Sequence, residues 1–257
     1  MPYAAAPTST DPKSPVRALL FDTFGTVVDW RSSTIRELAA FGNPRGLTAD
    51  WAAFADRWRG LYQPAMEAVR SGRRPFTILD VLHRESLETL LGEFKISGLS
   101  EPELDHLTKI WHRLDPWPDV IAGLRRLKSR YIIGTLSNGN IGLLTRLSKR
   151  AGLPFDVILG AETAMAYKPQ PDAYIRNAAV LGFATHEVML VAAHNSDLAA
   201  AQNTGMRTAF VARPTEYGPH QKQDFHADRA WDVVTDSFTG LADALDCPTT
   251  EALANRS

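Results

Sequence analysis

The stretch Val16-Arg17-Ala18-Leu19-Leu20-Phe21-Asp22-Thr23-Phe24-Gly25-Thr26-Val27-Val28-Asp29 constrains the fold more than any other part of the chain. An apolar run of strand length stops at a carboxylate, and a glycine turn follows with a hydroxyl on each side. A strand without polar alternation is covered on both faces, as in a parallel sheet. In open parallel sheets, ligands bind beyond the carboxyl ends of the strands. Asp22 is therefore expected at the mouth of a crevice, where Gly25 lets the backbone turn its N–H groups toward an anion. Taken alone, the stretch suits equally well an aspartate that only caps a turn after a buried strand.

The rest of the chain supplies a frame. Ser32 or Ser33 is expected to cap a helix through Ile35, Leu38 and Phe41 that closes at Gly42 and Pro44. Trp51, Phe54, Ala55, Trp58 and Tyr62 recur at three- and four-residue steps, giving a helix with one apolar face that Pro64 should kink or restart. Further helices are expected over 77–94 and 101–114, so residues 32–116 read as a helical insertion. Strand signals return at 131–136, 157–159, 188–193 and 208–211. Helices are expected between them over 119–129, through Leu143, Leu144 and Leu147, and over 171–181 and 198–204, with a last one at 235–245. This alternation gives an α/β fold, a doubly wound and mostly parallel sheet with an inserted helical cap. The core is expected over 15–31 and 117–247, a disordered tail over 1–14, and a loose end after Pro248.

Composition narrows the class. A net charge of −1 gives no reason to expect nucleic acid or a membrane surface as partner. Cys247 is the only cysteine, which excludes an intrachain disulfide and a thiolate cluster and fits a reducing cytoplasm. No apolar run approaches the ~18 residues of a membrane span.

Four polar clusters fall at strand ends or loop starts: 22–26, Ser137–Asn138, Lys168 and 194–197. The ordered set Asp-x-Phe-Gly-Thr, Ser-Asn-Gly, Tyr-Lys-Pro and His-Asn-Ser-Asp resembles the haloacid dehalogenase superfamily over about 16–245. Within it the chain looks like the type II L-2-haloacid dehalogenases, through its helical cap, its Trp58-Arg59 pair and the spacing Tyr167-Lys168-Pro169…Tyr174. The resemblance implies a Rossmann-like core and hydrolysis of small 2-haloalkanoic acids to 2-hydroxy acids. Asp22 would displace the halide from C2, and water would then cleave the aspartyl ester. Lys168 would keep Asp22 ionised, and Asp197 would orient Lys168 and help position the water. Thr26, Ser137 and Asn138 would hydrogen-bond Asp22 and the substrate carboxylate, with backbone N–H groups near Thr23 and Phe24 completing an anion cradle. Arg59 corresponds to the arginine that receives the halide, Tyr174 lines the site, and homodimerisation through cap helices follows the family habit.

Each residue also has a plainer reading. Lys168 suits a surface lysine before proline, Arg59 and Arg57 the solvated face of a helix, and Tyr174 a core aromatic. Asp197 suits a helix N-cap, and Ser137–Asn138 ordinary turn chemistry.

Departures from the family pattern bear on chemistry and substrate. Phosphatases of this superfamily carry a second Asp two residues past the nucleophile, where this chain has Phe24. A halide leaves without a proton, so a general acid is dispensable for dehalogenation but not for phosphate-ester cleavage. No metal or other cofactor is expected. Ala192, His194 and Ser196 replace the usual serine, asparagine and tryptophan, and Gly60 replaces the glutamine after the cap arginine. His194 is a candidate halide donor or pocket wall, and haloacetates, fluoroacetate included, are the expected substrates. Two alternatives stay open: a Mg²⁺-dependent phosphatase of the same fold, and a catalytically silent protein that binds small carboxylates.

Overall fold

The computed structural model describes residues 15–254, so the tail expected over 1–14 lies outside the described residues. Strand β1 (Ala18–Phe21) is completely buried. It pairs in parallel with β4 (Ile132–Thr135) on one side and β5 (Val188–Ala192) on the other. Strands β6 (Arg207–Val211) and β7 (Val233–Thr235) extend the sheet beyond β5, again in parallel, giving the order β4-β1-β5-β6-β7. The order reverses at β1, which is where a crevice opens at the strand ends.

The missing polar alternation in β1 has a direct cause. Leu19 and Phe21 join one core cluster with Leu124 and Leu127 of α5 (Val120–Lys128) and with Phe238 and Leu241 of α10 (Phe238–Ala244). Ala18 and Leu20 join a second cluster with Tyr174 of α8 (Pro171–Val180) and Leu198 of α9 (Asn195–Asn203). Helices therefore cover both faces, and every side chain of the strand is buried at a gain of ~1.5–3 kcal/mol for each large one.

The chain leaves this core through β2 (Val28–Asp29) and returns through β3 (Asp115–Pro116), and the two connectors pair as an antiparallel ladder. Between them lie α1 (Trp30–Gly42), α2 (Trp51–Arg70), α3 (Leu79–Glu93) and α4 (Glu101–Thr108), which form the helical cap. The cap of α1 is Asp29, whose carboxylate accepts from Ser32 N at 3.0 Å, and not Ser32 or Ser33. Ser33 is buried instead, and its Oγ accepts from Asp115 N across the ladder. Helix α2 runs through Pro64 without restarting. Buried Tyr62 and Met66 anchor it on either side, so the one backbone bond lost to the proline does not divide it.

Four further expectations need correction. Residues 157–159 contain only an isolated bridge, Val157 to Gly134, with another just beyond at Gly160 to Ser137, and not a strand. Strand β7 was not foreseen: it is three residues long, and Val234 is exposed, so it carries almost no apolar signal. Helix α9 begins at Asn195, which places Asp197 in its first turn and not at its cap. The expected loose end contains α11 (Thr250–Ala254). Helices α6 (Ile141–Ala151) and α7 (Ala161–Ala164) complete the core.

Candidate active site

Three neighbouring strands release their chains at the same rim. Asp22 follows β1, Asn138 follows β4, and the 194–197 segment follows β5. Lys168 enters from the loop before α8, and its N–H donates to Asn138 Oδ1 at 2.8 Å, which pins the loop to the end of β4. The Lys168 ammonium donates to Asp22 Oδ1 at 2.9 Å and to Asp197 Oδ2 at 2.5 Å. Asp197 Oδ1 accepts from the Tyr174 hydroxyl at 2.7 Å. Thr26 Oγ1 donates to Asp22 Oδ2 at 2.7 Å and accepts from Ala193 N at 2.9 Å, so the β1 turn is fastened to the end of β5.

These contacts decide the charge states. Burial pushes the Asp22 carboxyl upward, but Lys168 and His194 outweigh it and hold the group well below the usual carboxylate range. Burial would likewise neutralise Lys168, yet Asp197 and Asp22 raise it above its ordinary value. A bare, ionised carboxylate results, with one oxygen held by an ammonium and the other by a hydroxyl.

A third carboxylate completes the group. His194 Nδ1 lies 3.3 Å from Asp22 Oδ2, and its Nε2 is 2.9 Å from Glu216 Oε2. Glu216 is almost wholly buried, in the loop after β6, and also accepts from Trp30 Nε1 at 2.9 Å. Burial alone would discharge the imidazole, but Glu216 and Asp22 raise it well above its ordinary value. Gly25 makes room for this: a Cβ there would collide with the Glu216 carboxylate, and the residue has φ +94°.

The cap supplies the opposite wall. Phe24 is buried edge-on to Tyr62 of α2 and to Trp111. The Arg59 guanidinium sits 4.3 Å from the Tyr62 ring centroid and 5.3 Å from that of Trp30. Its Nη1 is buried with no partner among the described residues. Burial works against its charge, but the surrounding Tyr217, Tyr62, Glu216 and Asp22 keep it charged. Between the walls lies a cavity of about 380 Å³ that Asp22, Phe24, Arg59, Asn138, Lys168 and His194 help to line.

Residues 16–205 match the family model for haloacid dehalogenase-like hydrolases. The chain belongs to the haloacid dehalogenase-like hydrolases. It is 30% identical to an (S)-2-haloacid dehalogenase of Xanthobacter autotrophicus over 204 residues, 77% of this chain and 76% of that one. Among solved structures, a defluorinating L-2-haloacid dehalogenase superposes with a TM-score of 0.89 at 51% identity, covering 90% of this chain and 96% of that one. A second L-2-haloacid dehalogenase gives 0.87 at 47% identity, covering 90% and 99%.

Within this family frame, the structure gathers Asp22, Phe24, Arg59, Asn138, Lys168, Tyr174, His194 and Asp197 around one cavity. Thr26 touches Asp22 from outside it. Ser137 does not reach Asp22: its Oγ accepts from Gly139 N at 3.1 Å, which is turn chemistry. Thr23 contributes no side chain to the cavity, and its buried hydroxyl has no partner among the described residues. The N–H groups of Thr23 and Phe24 donate to nothing among the described residues, which leaves them available to an anion. Sequence reasoning missed Glu216, Tyr62 and Arg70. Glu216 lies past the end of a parallel strand, so the strand-end rule pointed to that loop. Arg70 closes α2 over the site by donating to the Lys168 carbonyl at 3.0 Å.

Proposed function

We propose that this chain hydrolyses the carbon–halogen bond of small (S)-2-haloalkanoic acids, haloacetates above all, to 2-hydroxy acids. The observation that carries the reading is the ionised Asp22, tied to Lys168 and facing a cavity walled by Phe24 and Arg59. Asp22 attacks C2 from the side opposite the halogen, so a chiral C2 inverts and an aspartyl ester forms. Lys168 and Thr26 hold the carboxylate without protonating it. The free N–H groups of Thr23 and Phe24, with Asn138, hold the substrate carboxylate. Arg59 receives the departing halide through its unpartnered Nη1, whose donor would otherwise stay unsatisfied in an aromatic wall. Phe24 stands where a phosphatase needs a proton donor, and its ring keeps the attack dry instead.

The division into a core over 15–31 and 117–247 and a cap over 32–116 belongs to the same reading. The paired connectors β2 and β3 are the joint about which the cap closes. Unpaired Cys247 supports a cytoplasmic setting, and the family habit supports a homodimer. No helix among the described residues is long and apolar enough to cross a membrane. A relative at 51% identity is described as defluorinating, which supports fluoroacetate among the substrates. Halide release from a panel of 2-haloacids, with and without EDTA, tests the function. Release that survives EDTA and disappears in Asp22→Asn is expected. Turnover of p-nitrophenyl phosphate with Mg²⁺ and none of any haloacid would overturn it.

A further inference from the structure

We propose that His194 is the base that activates water in the second half of the reaction, and that Glu216 is the residue that positions it. This rests on the dehalogenation reading above and assigns a step that reading leaves open. The nearest other candidate, Asp197, is already engaged. One oxygen accepts from Tyr174, the other from Lys168, and the ammonium neutralises its charge. His194 is placed differently. Its Nδ1 is 3.3 Å from Asp22 Oδ2, so one water beside the ring is within reach of the carboxyl carbon that must be attacked. A halide expelled by backside attack leaves on the far side of C2, so this position does not suit a halide donor.

The charge state of His194 follows the state of Asp22. In the resting enzyme the ring lies between two carboxylates, Asp22 and Glu216, and is a cation. Ester formation turns Asp22 neutral, and one of the two anions that held the proton disappears. Glu216 remains on Nε2–H, so the proton that leaves is the one on Nδ1, which passes to solvent. The lone pair exposed at Nδ1 faces the ester. Water then adds to the Asp22 carboxyl carbon and gives a proton to Nδ1. The bond from that carbon to the oxygen of the substrate moiety breaks, and the departing oxygen takes up the proton from the newly added hydroxyl. Asp22 is again a carboxylate and His194 again a cation. Haloacid and water have become hydroxy acid, halide and one proton, released from His194 in the first half and regained in the second. Trp30 Nε1 and the absence of a side chain at Gly25 fix Glu216 for this task.

Single-turnover mass measurement with chloroacetate tests the assignment. Wild type should show a transient carboxymethyl adduct on Asp22. In His194→Gln and His194→Asn, one stoichiometric burst of chloride should appear, and adduct decay should slow by about 10²–10⁴-fold. The burst itself shows that these variants fold and bind. In wild type, adduct decay should accelerate as pH rises and then level off, and Glu216→Gln should shift that rise to lower pH. Steady turnover of the His194 variants without adduct would overturn the proposal. So would adduct decay in wild type that is flat with pH, a readout that needs no variant to fold. If wild type itself releases no halide from any haloacid, the dehalogenation reading fails; if it does and the His194 variants keep pace, only the assignment of His194 and Glu216 fails.

Discussion

The two walls of the cavity are built on opposite principles. On the core side, Thr26, Asp22, Lys168 and Asp197 form one chain, each within hydrogen-bond distance of the next. On the cap side, aromatic rings dominate, and Arg59 Nη1, Trp58 Nε1, Trp111 Nε1 and both nitrogens of His83 are buried without partners among the described residues. Unsatisfied buried donors are costly, and they cluster where function requires them. The difference teaches which wall does what. The core wall holds an ionised carboxylate in a fixed place, while on the cap wall Arg59 brings an unpartnered donor to the cavity beside aromatic rings.

Removing the nucleophile tests that division most severely. Asp22→Asn should fold and lose halide release by about 10⁴-fold or more, measured by ion-selective electrode. On the cap wall, Arg59→Met should lower turnover by about 10²–10³-fold while leaving Asp22 and Lys168 in place. An equal loss from both substitutions would erase the contrast between walls. Thr26→Val should cost about 1–3 kcal/mol in chemical denaturation, because Ala193 N and Asp22 Oδ2 both lose a partner on the core wall.

A last effect on the cap side concerns His83, stacked on Trp111 with ring centroids 4.4 Å apart. Burial first, then Arg59 and His112, pushes its pKa down to about 3, against an ordinary value of 6.5. The unfolded chain therefore binds a proton below pH 6.5 that the folded protein refuses until about pH 3. Stability should fall as pH drops through that window, by up to about 1.4 kcal/mol per pH unit. His83→Phe should remove this part of the acid sensitivity, read as a smaller loss of Tm between pH 7 and pH 5. An unchanged pH slope would show that the cap wall holds no suppressed proton.

Much of the core was legible in the chain because its signals are local. β1 and β5 are unbroken apolar runs, and each ends in the polar residues that build the floor of the site. The distances among Asp22, Lys168 and Asp197 depend on strand order, which no local pattern states. Glu216 escaped notice because the strand-end rule marks only its loop: the residue itself is picked out by the glycine nearly two hundred residues earlier that leaves it room. Ser137 shows the converse, since a serine at a strand end serves turn and ligand alike, and its Oγ accepts from Gly139 N in the turn. β7 was too short and too exposed to show a period at all.

The central claim is that the carboxylate of Asp22 itself becomes bonded to the substrate carbon. A single turnover in ¹⁸O-labelled water, with enzyme in excess over haloacid, tests it most directly. Label in the Asp22 side chain and an unlabelled hydroxy acid are the predicted result, because water opens the ester at the protein's carbon and the product keeps an oxygen from Asp22. Label in the hydroxy acid on that first turnover, with none in Asp22, would mean that water attacks C2 directly and would contradict the account.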